Sequence, residues 1–394
     1  MAEHKDFMET QIAVVGGGLT GGLAALGFAQ AGWQTVHLAP RSNRPDHRST
    51  ALLNPSLEFL SELGLLDLLE GKGAPLRTMR LLDGTKRLLR TPPTDFVARE
   101  AGLDSFGVNF LNQDLLGTIE ERSQQFANLE RLETAVDGVS LSDRPVLSLE
   151  NGSCLRAGLV IAGDGRHSIL RQTAEIDTRR WSYPQVALVG EFAHSRDHGF
   201  VSTEFHTKTG PFTTVPMPGR QSSLVWVVEP PDAEEIKAQD LETSARQIER
   251  RLQSSLGKVQ LERPLQGFPL EGMIAKSFAQ KGILLVGEAS HVFPPIGAQG
   301  LNLGVRDVRD AVNSAGAVRF LSDTDREDIC SAFNRSRAAD VRLRTAGVDA
   351  LNRSLLTEAL PVQAARGIGL HALSQSSVLR KAAMAVGLGA KRSA

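Results

Sequence analysis

IAVVGGGLTGGLAALGFAQAGWQTVHL, residues 12–38, decides the fold. Residues 12–15 are a short β-branched run, the glycines begin at Gly16, an Ala/Leu-rich stretch runs to about Ala31, and residues 35–38 return to strand-forming types. Strand, glycine turn and helix in that order form the dinucleotide-binding pattern in the context it requires. Gly16 makes the turn, Gly18 lets the backbone approach a pyrophosphate, and Gly21 lets helix and strand pack closely. From Thr10 to Pro40 the chain carries no formal charge apart from a titratable His37, so on length alone it reads as a membrane span. Six glycines between Gly16 and Gly27, with the β-branched start, select the strand, turn and helix instead. The acid that bonds a ribose hydroxyl belongs about twenty residues on, and Ala39 stands there. The adenosine end is then held through Arg41, or less tightly.

Around this unit, 394 residues that are 41% hydrophobic and 23% charged leave room for two packed units with ordinary cores. A net charge of −1, without a basic patch or an aromatic platform, excludes nucleic acid as a partner. Cys154 and Cys330 lie far apart and match no metal or redox spacing, which suits a reducing compartment. The start, MAEHKDFMETQ, has no basic region followed by an apolar stretch, so a cytoplasmic location is expected.

Further along, Arg48 in PDHRSTAL reads as a solvated surface arginine or as a positive group for a phosphate, just ahead of a helix capped by Asn54 with Pro55 at its first position. Residues 76–90 read as a hairpin turning at Asp83-Gly84, and Asn112 opens a helix to about Phe126. Residues 146–161 read as a second hairpin turning at Asn151-Gly152 and ending in a buried strand. GDGRHS follows, which puts Asp164 at the carboxyl end of that strand, the edge where open sheets bind ligands. From Tyr183 to Gly267 the apolar period becomes two, over 186–192, 201–206 and 222–228, with one helix near 241–256. His194 and His198 have metal-compatible spacing, but Asp197, Gly199 and the lack of a third ligand assign them to a solvated loop, and no metal site is expected. G-x-S-x-G, H-E-x-x-H and G-K-[ST] patterns are absent.

The second decisive stretch is ILLVGEASHVFPPIGAQGLNLGVRD, residues 283–307. Residues 283–286 read as a buried strand, the Pro294, Pro295 and Gly297 loop cannot be helical, and a helix starts near Gln299 or Gly300. Its positive end points at something negative. Helices are then expected over 301–320 and 326–356, followed by an apolar, basic-dotted segment to Ala394 that packs on its own domain or lies on a membrane or a partner.

The N-terminal glycines, GDGRHS and VGEASHVFPPIGAQGLNLGVRD together resemble the flavoprotein aromatic hydroxylases, the para-hydroxybenzoate hydroxylase class, over most of the chain. GPFTTVPMPGRQSSLVW at 210–226 and FNRSRAADVRLRTAGVDALNRSL at 333–355 are similar to the branch that hydroxylates polyprenylated phenols in ubiquinone biosynthesis. The resemblance implies an α/β fold: a Rossmann-like FAD-binding domain in three parts (1–75, 99–180, 273–345), an antiparallel β-sheet substrate domain in two (76–98, 181–272), and a helical C-terminus (346–394). It implies FAD held by Gly16, Gly18 and Gly21, with Arg48 and Asn112 at flavin-contacting positions and Asp164 in a motif tied to FAD and NAD(P)H. Gly287-Glu288 stands where the family has Gly-Asp, whose acid bonds the ribityl chain; glutamate adds a methylene. Gly297, Gln299, Gly300, Leu301 and Asn302 supply backbone near the flavin, with the helix dipole favouring its anionic reduced form, and Pro294 and Pro295 wall off the flavin C4a position.

The implied chemistry is ring hydroxylation through a C4a-hydroperoxyflavin, consuming molecular oxygen; no second Rossmann motif exists, so the electron donor binds transiently or is another protein, and the resemblance implies NAD(P)H as the default. No side-chain base is identified; His291 reads as packing or capping its loop, and His206 lies on a strand of the substrate sheet. A polyprenylated substrate favours peripheral contact with the inner membrane and association with other quinone-biosynthesis enzymes. A hydroxylase of a soluble aromatic compound and a flavin-binding scaffold without turnover are the alternatives.

Overall fold

A computed structural model describes residues 7–41, 46–85, 92–141, 143–294, 299–316, 322–356, 369, 371, 373 and 375–388. Five strands, Ile283–Leu285, Cys154–Ala162, Phe7–Val15, Thr35–Leu38 and Leu129–Leu132, lie side by side in that order and run parallel. A parallel sheet is covered on both faces, so its strands read as unbroken apolar runs. Ile12, Ala13 and Val14, Leu159 to Ala162, and Ile283 to Leu285 are all fully buried. The helices Leu19–Gln30 and Gln299–Ala315 pack together on one face through Leu23, Leu26, Phe28, Leu303 and Val308. The expected hairpin onto Cys154–Ala162 forms with Pro145–Leu149 and turns at Gly152, whose φ of +83° favours glycine.

The second sheet runs Thr94–Val97, Thr78–Asp83, Val201–His206, Pro211–Met217, Gln221–Val228, Thr178–His194, Gln266–Ala275, His291–Val292. Every neighbouring pair is antiparallel except Val201–His206 with Thr78–Asp83, which is parallel. That departs from the wholly antiparallel expectation. A long excursion through the first sheet separates the two strands, so no hairpin fixes their direction. Phe205, Phe212, Leu224 and Trp226 face one way into a core closed by the helices Pro230–Lys237 and Leu241–Arg251, and the alternate residues face a cavity.

Several boundaries move. Thr78–Asp83 pairs with Thr94–Val97 and not with an immediate return strand; Asp83 Oδ1 accepts from the Thr85 amide at 2.8 Å, and residues 86–91 lie outside the described ones. Leu53, not Asn54, is the cap of Asn54–Glu62, because the Asn54 side chain donates instead to the Ser105 carbonyl at 2.8 Å. The helix expected to 256 ends at Arg251, before Gln253 and Ser254 at positive φ. Helices also span Asn112–Ser123, Asp323–Leu356 and Ser377–Leu388. No helix among the described residues is long and apolar enough to cross a membrane.

His194 and His198 are buried, not solvated. His194 contacts the Arg196 carbonyl at 2.7 Å and Ser222 Oγ at 3.0 Å, His198 contacts the Met217 carbonyl at 2.9 Å, and their rings meet edge to face. Carbonyl partners tie down the chain around Asp197 and Gly199, and that pulled both rings inward. No metal-holding cluster occurs among the described residues.

Candidate functional site

The first strand turns at Gly16, with φ +130°, where a Cβ would lie 2.2 Å from the Gly163 carbonyl oxygen; on Gly21 it would lie 2.0 Å from that of Gly16. These two glycines therefore let strand, turn and helix approach as closely as they do. Gly18 differs: a Cβ there would meet nothing within 4 Å, and the residue lines a cavity of about 1230 Å³. It is also the N-cap of Leu19–Gln30 and offers no side-chain cap, so the first amides of that helix face outward as an anion site. His37 holds the turn from behind, its Nε2 2.9 Å from the Gly16 carbonyl, and burial pushes its pKa down, which keeps it a neutral donor. Ala39 is fully buried, and Arg41 is exposed and outside the cavity lining.

Asp164 follows the adjoining strand. One carboxylate oxygen, Oδ2, accepts from the Leu170 amide at 3.4 Å, while Oδ1 is buried with no partner among the described residues. Burial pushes its pKa up, against the opposing bonds from Ser168 and Leu170. An orphaned acceptor of this kind is costly unless a ligand donor meets it. Its neighbours Gly163, Gly165 and Arg166 line the cavity.

Across the opening, Arg48 and Asn112 come together through Asp46, which the sequence reading had not singled out. Arg48 grips Asp46 with Nε at 2.8 Å and Nη2 at 2.7 Å, Asn112 Nδ2 donates to Asp46 at 2.8 Å, and Thr50 donates to Asn112 at 2.7 Å. Burial would raise the Asp46 pKa, but Arg48 and Asn112 outweigh it and hold the carboxyl below its usual range. Arg48, Asp46 and Asn112 all line the cavity.

Gly287 and Glu288 line it too, after the buried strand Ile283–Leu285. Glu288 faces Arg166 at 3.3 and 3.4 Å, and Arg166 also binds Glu271 at 2.8 Å, so the longer acid is steered by a cation. Beneath this turn, buried Asp307 collects the Gly287 amide at 2.9 Å, His291 Nε2 at 2.7 Å and Arg337 Nε at 2.8 Å. Burial works against its charge, yet His291 and Arg337 hold its carboxyl below the usual range. His291 thus anchors the loop, in the packing role expected of it. Asp307 and Arg337 both occur in the quoted runs, but only folding brings them together.

Pro294, Gln299, Gly300 and Leu301 line the cavity; Pro295 and Gly297 lie outside the described residues. The Gln299 side chain accepts from Arg344 at 3.1 Å. Asn302 is buried, and its side chain is spent on the Leu53 amide, Ser56 Oγ and the Ala51 carbonyl, at 2.7 to 2.8 Å. It locks the start of the helix against the strand Ser49–Leu53.

A glycine cradle at the carboxyl edge of a parallel sheet, opening into a cavity roofed by a second sheet, defines an enzyme that binds a dinucleotide cofactor and works on a second ligand beside it. Residues 9–340 match the FAD binding domain family, and the chain belongs to this family of FAD-dependent aromatic monooxygenases. It is 30% identical to ubiquinone hydroxylase UbiL of Rhodospirillum rubrum, over 96% of this chain and 89% of that one. It is 28% identical to 3-demethoxyubiquinol 3-hydroxylase of Escherichia coli, over 96% of this chain and 98% of that one. Its fold matches the crystal structure of pqsL, a probable FAD-dependent monooxygenase from Pseudomonas aeruginosa, with a TM-score of 0.77 at 21% identity, over 92% of this chain and 99% of that one.

Proposed function

We propose that this protein hydroxylates the ring of a polyprenylated phenol on the way to ubiquinone, with FAD as its cofactor and NAD(P)H as the electron donor. The observation that carries the reading is the near end-to-end similarity to two enzymes named as hydroxylases of ubiquinone or its precursor, over 96% of this chain in each case. The open face of Gly18 and the unpartnered Asp164 Oδ1 fit a pyrophosphate and a sugar or ribityl hydroxyl. FAD, when bound, supplies the oxygen activation.

The chain's own residues then bind and orient. Gly16, Gly18 and Gly21 admit the pyrophosphate, Arg48 and Asn112 are fixed by Asp46 beside the ring system, and Gly287 with Glu288 receives the ribityl chain. Amides from Gly300 to Asn302, at the positive end of Gln299–Ala315, favour negative charge on the ring system. Pro294 contributes a donor-poor stretch of the lining that excludes water. A polyprenyl tail draws the protein to a lipid surface.

Deleting the gene and identifying the quinone that accumulates tests the reading. A ubiquinone precursor lacking one ring oxygen, with its synthesis restored by the wild-type gene, is the expected result. Normal ubiquinone together with no phenol-stimulated oxygen uptake by the purified yellow protein would overturn it.

A further inference from the structure

The sheet face that roofs the cavity carries a carboxylate and imidazole pair that the reading above leaves unused. Ser202, Glu204 and His206 alternate along Val201–His206 and all line the cavity, while Phe205 between them packs against Phe212 on the opposite face. His206 is only 7% exposed, and its Nε2 lies 2.8 Å from Glu204 Oε1. The second glutamate oxygen accepts from Thr213 Oγ1 at 3.2 Å. Register makes the arrangement rigid, since Glu204 opposes Thr213 and Leu81, and His206 opposes Pro211 and Asp83. When Nε2–H is given to Glu204, the other ring nitrogen is left as an acceptor. No described residue bonds it. It is not one of the buried atoms sealed off without a partner, so on a residue that lines the cavity it is open to a ligand hydroxyl. Met79, Leu81, Val215 and Val225 surround the pair and suit an aromatic ring.

We propose that His206, held by Glu204, takes the proton of the substrate's ring hydroxyl. The oxygen–hydrogen bond breaks, an Nδ1–H bond forms, and the electron pair stays on the oxygen, where it enriches the ring for attack on an electrophilic oxygen. The imidazolium is then balanced by the Glu204 carboxylate. Other charged groups around it reinforce or stand apart from this. Asp83 faces the same side from the neighbouring strand, with its carboxylate bonded to Thr85, and Arg80 is held bidentately by Asp95. Pro211–Met217 contributes no charge, and Glu191 lies two strands further on. The assignment rests on the substrate ring lying in this cavity.

4-Nitrophenol tests it, because its phenolate is coloured in the visible and its phenol form is not. Flavin-loaded protein is titrated with the probe one pH unit below the probe's own pKa and read as a difference spectrum against protein alone. Wild type is expected to bind the probe mostly as phenolate. His206→Gln should bind it about one-tenth ionised, as in free solution, and Glu204→Gln should fall between the two. A phenolate band unchanged in His206→Gln, or absent from the wild-type complex, overturns the assignment. Retained yellow colour and an unchanged thermal transition certify each variant; if His206→Gln loses flavin, Glu204→Gln is judged by the same band. The phenolate signature without hydroxylation of any prenylated phenol would refute the functional reading alone, and hydroxylation without the signature would refute this one alone.

Discussion

Asp307 is one carboxylate satisfying three elements at once: the Gly287 turn, the His291 strand and the Arg337 helix. Replacing it by Asn keeps the volume but takes the charge from beside Arg337 Nε, while Arg337 Nη1 keeps Asp310 at 2.8 Å and Asp340 at 3.2 Å. Leaving a buried charge with no partner costs about 3–5 kcal/mol, and Arg337 retains two carboxylates, so denaturant unfolding of Asp307→Asn should show a loss below that range, with flavin affinity falling alongside. The sign with pH follows from the depressed carboxyl pKa: its contribution is present above the ordinary carboxylate range and lost as pH falls through the lowered value. Glu191 runs the other way. Its Oε1 is buried without a partner among the described residues, and burial pushes its pKa up. Ionising it therefore opposes folding, and the penalty grows as pH rises from the ordinary carboxylate range through the raised value. Melting temperature against pH should fall less steeply over that window in Glu191→Gln than in wild type; parallel curves would assign the unpartnered oxygen no thermodynamic weight.

The strand, glycine turn and helix at 12–30 were legible because every determinant is local. β-branched residues, a φ of +130° that only glycine adopts readily, and Ala/Leu helix formers all lie within one short run. Gly21→Ala would put a methyl 2.0 Å from a backbone oxygen, with no flexible side chain to yield. The expected result is a colourless purified protein, read by the flavin-to-protein absorbance ratio; full yellow colour would mean the cradle shifts as a unit. Asp46, Asp307 and Glu204 were not legible, because each matters through partners that are distant in the chain or invisible to period and spacing. The parallel pairing of Val201–His206 with Thr78–Asp83 escaped for the same reason, as no turn joins them. His194 and His198 were misread because loop composition says nothing about which carbonyls will draw a ring inward.

Across the whole molecule, both sheets and the C-terminal helix meet at one cavity, and the cofactor half and the ring half depend on different stretches of chain. Residues proposed for FAD end at Asn302, whereas Ala383 and Met384 of Ser377–Leu388 close the cavity near Met79, Phe96 and Phe106. Met384 is 6% exposed among Leu76, Ala98 and Phe106, and Arg380 grips Glu100 at 2.9 and 3.0 Å, while Val378 and Leu379 face outward. This helix is therefore a docked wall, and its removal should open the ring half to water without touching the glycine cradle. A chain ending at residue 375 is expected to keep its flavin but to release more peroxide and less hydroxylated product per oxygen consumed. Charge reversal separates loss of the wall from loss of folding. Arg380→Glu alone and Glu100→Arg alone should each lower the product-to-oxygen ratio, and the double exchange should recover most of it, since the ion pair is re-formed with opposite polarity. Equal coupling in all three variants would show that apolar packing at Met384 holds the wall by itself, and that Arg380 and Glu100 contribute nothing to closure.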